Sequence, residues 1–325
     1  MSRRLLALEA GALTRAPGRA LRLWIVLGVL ALACPAGAES RLPPHYAESV
    51  AVYVIDPGGD GELRFRLGRF PECGRGILWM SAYVDGRHYA VVDPTISLEG
   101  SASATPVSSD SVTFDVAESQ GIRVASFRRH GPAMIGHVTA ATKAHETYHP
   151  PIGAGTETIS AEIVFSASHG GVNVRPGRFE VFGTAEAEIV TPQGTFRISG
   201  PAKWHEQTGP RARFAPAFTY FWGGSGRVGL LARGGDSGDS WGYLVEGATV
   251  TPVERFTIES VGPDRRRFSV ALADGRLIEG SASELRTSSV PIEDCRRPSS
   301  TVRIDSDLGD MIGHLNDWDP ARNPQ

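Results

Sequence analysis

The chain has 325 residues, and its 33 lysines and arginines against 36 aspartates and glutamates give a formal net charge of −3. This balance provides no positive surface for the phosphates of nucleic acid or for an anionic membrane. Hydrophobic residues make up 41% of the chain, which is long enough for one large domain or two smaller ones. We therefore expect a globular protein without a nucleic-acid partner.

The N-terminus has the organisation of an export signal. Arginines precede an apolar run, Leu23–Cys34, that is too short to cross a bilayer as a stable helix. Small residues at Ala36–Ala38 form a signal-peptidase site, which predicts cleavage before Glu39. Residues 1–38 are therefore predicted to be a signal peptide, and the mature protein is predicted to be periplasmic or secreted, with no stable membrane span. The pair Arg3-Arg4 leaves the export route open between the Sec and twin-arginine systems.

Three cysteines are present, and Cys34 lies within the predicted signal, where the following Pro35 argues against lipidation. Cleavage leaves Cys73 and Cys295 in an oxidising compartment, where an even number of cysteines predicts a disulfide. Because that bridge would close a very long loop, it would stabilise the fold by at most about 5 kcal/mol in the chain-entropy model.

Short apolar and β-branched runs recur along the rest of the chain, and many of them alternate between apolar and polar residues. Turn residues such as Asp85-Gly86 and Asp274-Gly275 separate them, and no long helical period is present. The pattern predicts an all-β protein built as antiparallel barrels or sandwiches. We place a boundary near residue 190, which gives β domains at 39–190 and 191–290 and a poorly ordered tail at 291–325. The predicted strands are 49–55, 63–67, 77–84, 88–92, 112–116, 122–128, 158–166, 178–191, 195–207, 218–222, 228–232, 241–245, 250–260, 267–272 and 276–285.

One segment, His145-Glu146-Thr147-Tyr148-His149, has the spacing of the HExxH zinc motif. In that motif two histidines on one face of a helix bind the metal, and the glutamate activates water. Pro150 follows His149 directly and disfavours helical geometry at that position. We therefore predict no metal site and no cofactor, and we keep a zinc-dependent hydrolase as an alternative function.

A band of aromatic and polar residues follows between Trp204 and Tyr243. Strand alternation places Lys203, His205 and Gln207 on one face and Trp204 and Glu206 on the other. Aromatic rings with a few ionisable groups are typical of a pocket for an apolar ligand, but the same rings could also fill a barrel core. The candidate ligand-binding residues are Trp204, Gln207, Arg211, Tyr220, Trp222, Trp241 and Tyr243.

The stretch Gly200–Arg211, followed by Trp241–Gly247, resembles the lipocalin-like family of hydroxyneurosporene synthase and AttH. Arg178–Gly183 fits the strand before the histidine, Asp274–Arg276 extends the match, and the resemblance covers about residues 45 to 290. The family implies two consecutive lipocalin-like β units. It also implies hydration, dehydration or cyclisation of terpenoids and other apolar substrates.

These observations predict an exported, lipocalin-like protein that encloses an apolar small molecule such as a terpenoid or lipid. As a hydratase-like or cyclase-like lyase or isomerase, it would use His205 or Glu206 as the acid or base. Tyr220, Trp222 and Tyr243 would then face a developing cation. As a carrier of lipid or pigment, the chain would bind the same ligand without turnover.

Overall fold

The structure is a computed structural model that describes residues 46–70, 74–97, 113–114, 123–130, 135–210, 217–235, 238–292 and 295–318. These residues lie within one compact unit, Leu32–Gln325, and their regular elements are all β-strands. Across the described ranges there is no helix of the length and apolarity needed to cross a membrane. The prediction of an all-β protein is confirmed.

The first half of the described chain forms one antiparallel sheet of eleven strands, which we call the N-terminal β unit. The strands run in the order β4-β3-β2-β1-β11-β10-β8-β7-β6-β5, and β9 pairs with β10. They are β1 (Tyr46–Ile55), β2 (Glu62–Phe70), β3 (Arg75–Val84), β4 (Arg87–Ser97), β5 (Thr113–Phe114), β6 (Arg123–His130), β7 (Ile135–Glu146), β8 (Glu157–Ala167), β9 (Val172–Arg175), β10 (Arg178–Thr191) and β11 (Gly194–Pro210).

A short pairing between β4 and β7, at Tyr89↔Glu146 and Ala90↔His145, joins the two ends of an eight-strand run in this sheet. Alternate residues of the strands, such as Val50, Val52 and Val54 of β1, point inward and form the core of the unit. The other residues of the same strands form its outer face.

The second half forms a closed barrel of eight antiparallel strands, which we call the barrel. Its strands are β12 (Phe218–Gly224), β13 (Val228–Gly235), β14 (Trp241–Glu246), β15 (Thr249–Ser260), β16 (Arg265–Leu272), β17 (Leu277–Ile292), β18 (Cys295–Ser306) and β19 (Met311–Trp318). Phe221, Leu230 and Leu244 point into the barrel core. The neighbouring residues Tyr220, Trp222 and Tyr243 point out of the barrel.

The two parts pack through a third apolar cluster, in which the outer face of the N-terminal β unit meets the outside of the barrel. Ile55 and Phe182 of the N-terminal β unit pack there with Trp222, Tyr243 and Ile312 of the barrel. Tyr220, Trp222, Trp241 and Tyr243, which the sequence placed either in a pocket or in a barrel core, therefore lie between the two parts.

The predicted hairpin turns form where glycine or an equivalent residue must adopt a positive φ. Asp85 and Gly86 have φ values of 51° and 73° in the turn between β3 and β4, and Gly275 has a φ of 86° between β16 and β17. Gly275 also follows the predicted Asp274-Gly275 pattern, which supports the strand assignments on both sides of the turn.

The predicted boundary near residue 190 is wrong. Gln193-Gly194 is a hairpin turn inside the N-terminal β unit, because β11 pairs with β10 from Thr191↔Gly194 to Arg178↔Gln207. The N-terminal β unit therefore extends to Pro210, and the barrel begins at Phe218.

The predicted poorly ordered tail from residue 291 is also wrong, because β18 and β19 complete the barrel. In sequence the segment has the polar stretch Arg296-Arg297-Pro298-Ser299-Ser300, which is typical of a solvated tail. Ser299, Ser300 and the following Thr301 are buried and hydrogen-bonded instead. The predicted signal peptide, residues 1–38, and Cys73 lie outside the described residues, so cleavage and the Cys73 to Cys295 disulfide stay predictions.

Candidate functional site

Strand β11 divides the predicted site residues between two environments. Lys203 and His205 lie on the outer face of the N-terminal β unit, directly opposite Phe182 and Glu180 of β10. Trp204 belongs to the inner core instead. The alternation predicted from sequence therefore holds, and it makes the outer face the side that meets the barrel.

A buried glutamate, Glu180, is the centre of a polar cluster at this interface, with none of its surface exposed. Its Oε1 accepts hydrogen bonds from Arg178 Nε at 2.7 Å and from the Tyr220 hydroxyl at 3.1 Å, and it lies 3.0 Å from His205 Nδ1. Its Oε2 lies 2.5 Å from Lys203 Nζ, which is also 2.5 Å from the Tyr220 oxygen. Both parts of the molecule thus contribute to one network, which we call the Glu180 cluster.

The surroundings of Glu180 fix the charge and tautomer of His205. Burial alone would raise the pKa of Glu180, but Lys203 and Arg178 outweigh it and hold that pKa well below its usual value. Burial lowers the pKa of His205 well below its usual value against the opposing effect of Glu180, so the imidazole is neutral. Because an ionised carboxylate only accepts hydrogen bonds, His205 Nδ1 carries the hydrogen. His205 Nε2 therefore keeps its lone pair and can accept a proton.

Lys203 and Tyr220 form the proton-donating side of the cluster. Burial lowers the pKa of Lys203 to about 8, while Glu180 opposes that change. Burial raises the pKa of Tyr220 well above 10, and Glu180 adds to the effect, so the phenol keeps its proton. A donor, Lys203, and an acceptor, His205, therefore share one carboxylate within a site shielded from water.

Three aromatic residues of the barrel lie beside this network and have unused hydrogen-bond donors. Among the described residues, no partner is present for Trp222 Nε1, Trp241 Nε1 or the Tyr243 hydroxyl, all of which are buried atoms. Trp222 packs edge-on against Tyr53 at 5.8 Å between ring centres, and the Trp241 ring lies 6.3 Å from that of Tyr220. Because buried Trp and Tyr normally find a partner, a ligand with acceptor atoms would satisfy these donors.

Two cavities flank the Glu180 cluster. One, of about 170 Å³, is bounded by Arg178 and Gln207 among other residues, and Arg178 bonds Glu180 directly. The other, of about 50 Å³, is bounded by Tyr53, whose ring lies 5.5 Å from Lys203 Nζ. Neither of these two cavities has His205, Tyr220, Trp222, Trp241 or Tyr243 in its wall.

Trp204 and Glu206 face away from the Glu180 cluster. The Trp204 ring occupies a slot over Gly136, where an added Cβ would lie 2.2 Å from the ring, and its Nε1 donates to Glu206 at 2.8 Å. Glu206 also borders the larger cavity. His205 and Glu206 are therefore on opposite sides of β11, and the predicted ligand-binding role of Trp204 is replaced by packing in the core. Arg211 lies outside the described residues.

The HExxH segment does not form a helix. His145 and Glu146 end strand β7, and residues 147–149 make a bend before Pro150. Glu146 pairs with Arg87 at 3.0 Å on the surface. No group of three or more potential metal-binding side chains was found among the described residues.

The sequence pattern predicted His205 and Tyr220 as site residues but did not predict Glu180, Lys203 and Arg178. The sequence did contain a pattern that indicates two of them. Lys203 alternates onto the same strand face as His205, and Glu180 is a charged residue between the apolar residues of its strand. What the sequence lacked was the register, which pairs Glu180 with His205.

Comparison with known proteins supports the fold. No family model and no curated protein matches the chain. A crystal structure of CghA with Sch210972 is similar at 11% identity and a TM-score of 0.54, covering 84% of this chain and 88% of that one. Kievitone hydratase from Nectria haematococca is similar at 12% identity and a TM-score of 0.50, covering 90% and 94%. A protein of Nitrosomonas europaea provisionally assigned as AttH is 11% identical with a TM-score of 0.45, covering 87% and 98%. At these identities the likeness to CghA and kievitone hydratase shows a similar fold alone.

Proposed function

We propose that the chain binds an apolar small molecule between the N-terminal β unit and the barrel and performs acid–base chemistry on it at the Glu180 cluster. The observation that carries this proposal is the burial of a proton acceptor, His205, and a proton donor, the Lys203 and Tyr220 pair, around one ionised carboxylate. A carboxylate that orients a neutral histidine is a recurring arrangement for a general base.

The roles follow from the hydrogen-bond directions. Glu180 holds His205 with Nδ1 protonated, so Nε2 is the atom that removes a proton from the ligand. Tyr220, whose hydroxyl donates to Glu180 Oε1 in the described structure, would break that bond and donate its hydrogen to an oxygen of the ligand. Lys203, which donates to the phenol oxygen, would stabilise the negative charge that this transfer leaves. Gln207, on the cavity wall and two residues along the same face of β11, contacts the bound molecule.

The positive charge around Glu180 favours a reaction through an anionic intermediate over one through a cationic intermediate. Arg178 and Lys203 both contact Glu180, and Lys203 Nζ lies 4.9 Å from the Tyr220 ring centre. The cation expected from the sequence analysis would be repelled by these groups. A reaction that passes through negative charge on an oxygen, such as the enolate formed during hydration or dehydration beside a carbonyl, is favoured instead.

Kievitone hydratase and CghA are similar to this chain in fold alone. The presence of a hydratase among structures of similar fold is consistent with the proposed chemistry. Export of the chain, with cleavage of residues 1–38, remains part of the proposal. N-terminal sequencing of the protein recovered from the periplasm or medium should begin at Glu39.

The decisive experiment combines a binding assay with a turnover assay on wild-type protein and two variants. N-phenylnaphthylamine, a neutral apolar dye, reports ligand binding by fluorescence. Deuterium exchange from solvent into a panel of apolar ketones and prenylated phenols reports proton transfer. We expect Tyr220→Phe and His205→Gln to bind the dye as wild type does and to exchange about a hundredfold more slowly.

Two results would contradict this assignment. If the protein binds the dye but exchanges deuterium into no compound of the panel, it is a carrier of lipid or pigment. If exchange occurs but neither variant slows it, the Glu180 cluster does not perform the proton transfer. Hydrolysis of an ester panel that depends on added zinc and on His145 would favour the hydrolase alternative.

A further inference from the structure

Positive charge is concentrated around one tryptophan at the edge of the interface. Arg178, Arg175 and Arg233 lie 4.8, 5.2 and 6.0 Å from the centre of the Trp241 ring. They come from three strands, β10, β9 and β13, and Trp241 is on β14. We call Arg175, Arg178 and Arg233 the arginine rim.

The arginine rim has few negative partners. Arg178 binds Glu180 at 2.7 Å, but Arg175 and Arg233 form no ion pair among the described residues. The carboxylate that acts on Arg233 is Asp239, and the one that acts on Arg175 is Glu180. Burial and then the neighbouring arginines lower the pKa of Arg175 and of Arg233. The three guanidinium groups therefore repel each other where solvent screens them only in part.

Exposure decreases in order from the rim to the Glu180 cluster. Arg175 is exposed, Arg233 and Trp241 are half-buried, and Lys203 is buried. Arg178 also borders the larger cavity, so a molecule in that cavity lies against a rim guanidinium. The rim thus lies on the more exposed side of the Glu180 cluster.

The Trp241 indole supplies an independent indication of a ligand. Its Nε1 is a buried donor that has no partner among the described residues, although it lies amid three cations that are themselves only donors. An acceptor with several lone pairs would satisfy the indole and the guanidinium groups together. A carboxylate has that geometry, since arginine binds it through two parallel hydrogen bonds.

We propose that the natural ligand of this protein is an apolar molecule that carries a carboxylate, and that the arginine rim and Trp241 Nε1 bind this acidic group. The proposal rests on the proposed function for the apolar part of the ligand. It adds that the acidic group stays at the rim while the apolar part extends toward His205 and Tyr220.

A matched set of probes tests this proposal: naphthoate, its nearly isosteric neutral amide naphthamide, and naphthyl phosphate. Isothermal titration of wild-type protein should show naphthoate binding about 10-fold to 100-fold more tightly than naphthamide, the range expected for charge-assisted hydrogen bonds. The ratio should fall as salt is added. Naphthyl phosphate measures whether a dianion is accepted as well, and binding tighter than naphthoate would overturn the assignment to a carboxylate.

The variant Arg175→Gln/Arg233→Gln should weaken naphthoate binding several-fold, toward the affinity of naphthamide, because only Arg178 and Trp241 of the site remain, and it should leave naphthamide binding unchanged. Arg197→Gln is the matched control, since Arg197 is an exposed arginine of β11 paired with Glu188, and it should keep the wild-type ratio. Equal affinities of wild type for naphthoate and naphthamide would overturn the carboxylate proposal. A ratio of the two affinities that is the same in wild type and in the double variant would overturn it as well. Neither result would contradict the apolar site. If none of the probes binds, the apolar site and the carboxylate proposal both fail.

Discussion

Two glutamates, Glu62 and Glu180, occupy similar positions between the N-terminal β unit and the barrel. Each is fully or almost fully buried, and each pairs with an arginine two residues away on its own strand. Each also takes a second cation: Arg286 of the barrel binds Glu62 at 2.9 Å, and Lys203 of β11 binds Glu180 at 2.5 Å. Burial and charge alone therefore do not distinguish the site around Glu62 from the site around Glu180.

Their remaining partners separate them. Glu62 accepts a hydrogen bond from Thr301, and Arg64 donates to Ser299 at 2.7 Å, so the network around Glu62 connects the two parts through hydroxyl groups. Burial alone would raise the pKa of Glu62, but Arg64 and Arg286 outweigh it and hold the pKa at about 2. Arginine and threonine do not change protonation in the physiological range. Glu62 therefore joins the two parts of the molecule, whereas Glu180 is surrounded by groups that can transfer protons.

The largest effect is expected from Glu62→Gln. It leaves the buried Arg64 and Arg286 without their carboxylate, and breaking a buried pair in this way costs about 3–5 kcal/mol of unfolding free energy. Urea denaturation at neutral pH measures it. A decrease in unfolding free energy of less than about 1 kcal/mol would show that Glu62 does not hold the N-terminal β unit and the barrel together.

Acid should destabilise the same region through His88, which stacks on Tyr148 and is bonded to Ser81. Burial lowers its pKa from 6.5 to about 4, with Glu62 opposing and Arg64 and Arg286 adding to the effect. The unfolded chain binds more protons than the folded one between these values, so stability falls as the pH drops from 6.5 to 4, by about 3 kcal/mol. The loss over this range should be smaller in His88→Asn, and equal slopes for both proteins would contradict the assignment.

Glu180→Gln should cost less than Glu62→Gln, about 1–3 kcal/mol, because Lys203 can release its proton and Arg178 can turn toward solvent. Its deficit relative to wild type should shrink as the pH rises toward about 8 and level off above it, where Lys203 is neutral in wild type as well. The deficit of Glu62→Gln should stay constant over the same range, since arginine keeps its charge. Parallel pH profiles for the two variants would remove the distinction between them.

The smallest effect is expected from Glu146→Gln in the HExxH segment. Glu146 and Arg87 are both about half exposed, so the loss should stay within about 0.5 kcal/mol. Elemental analysis of the purified protein should find no stoichiometric zinc, because the segment ends a strand rather than forming a helix. One zinc per chain that is lost in His145→Ala would contradict this prediction.

The sequence was sufficient for most of the strands and for the alternation on β11, because both depend on local periodicity, but it missed β7 (Ile135–Glu146) and β9 (Val172–Arg175). It predicted β10 at 178–191 with the bounds that the structure shows. It failed for the end of the barrel, because Ser299 and Thr301 are buried by hydrogen bonds to Arg64 and Glu62 more than two hundred positions earlier in the chain. The same limit hid Glu180, whose role depends on which residue of β11 lies opposite it.

The way each part closes has a consequence for folding kinetics. The first strand of the N-terminal β unit pairs with its last, β1 with β11, and the first strand of the barrel pairs with its last, β12 with β19. Neither part can complete its hydrogen bonds until its final strand has been synthesised, and such distant pairings make folding slow. Until β19 arrives, β12 has an unpaired edge that can recruit a strand from another molecule. A chain shortened before Met311 would therefore aggregate rather than fold into a smaller protein.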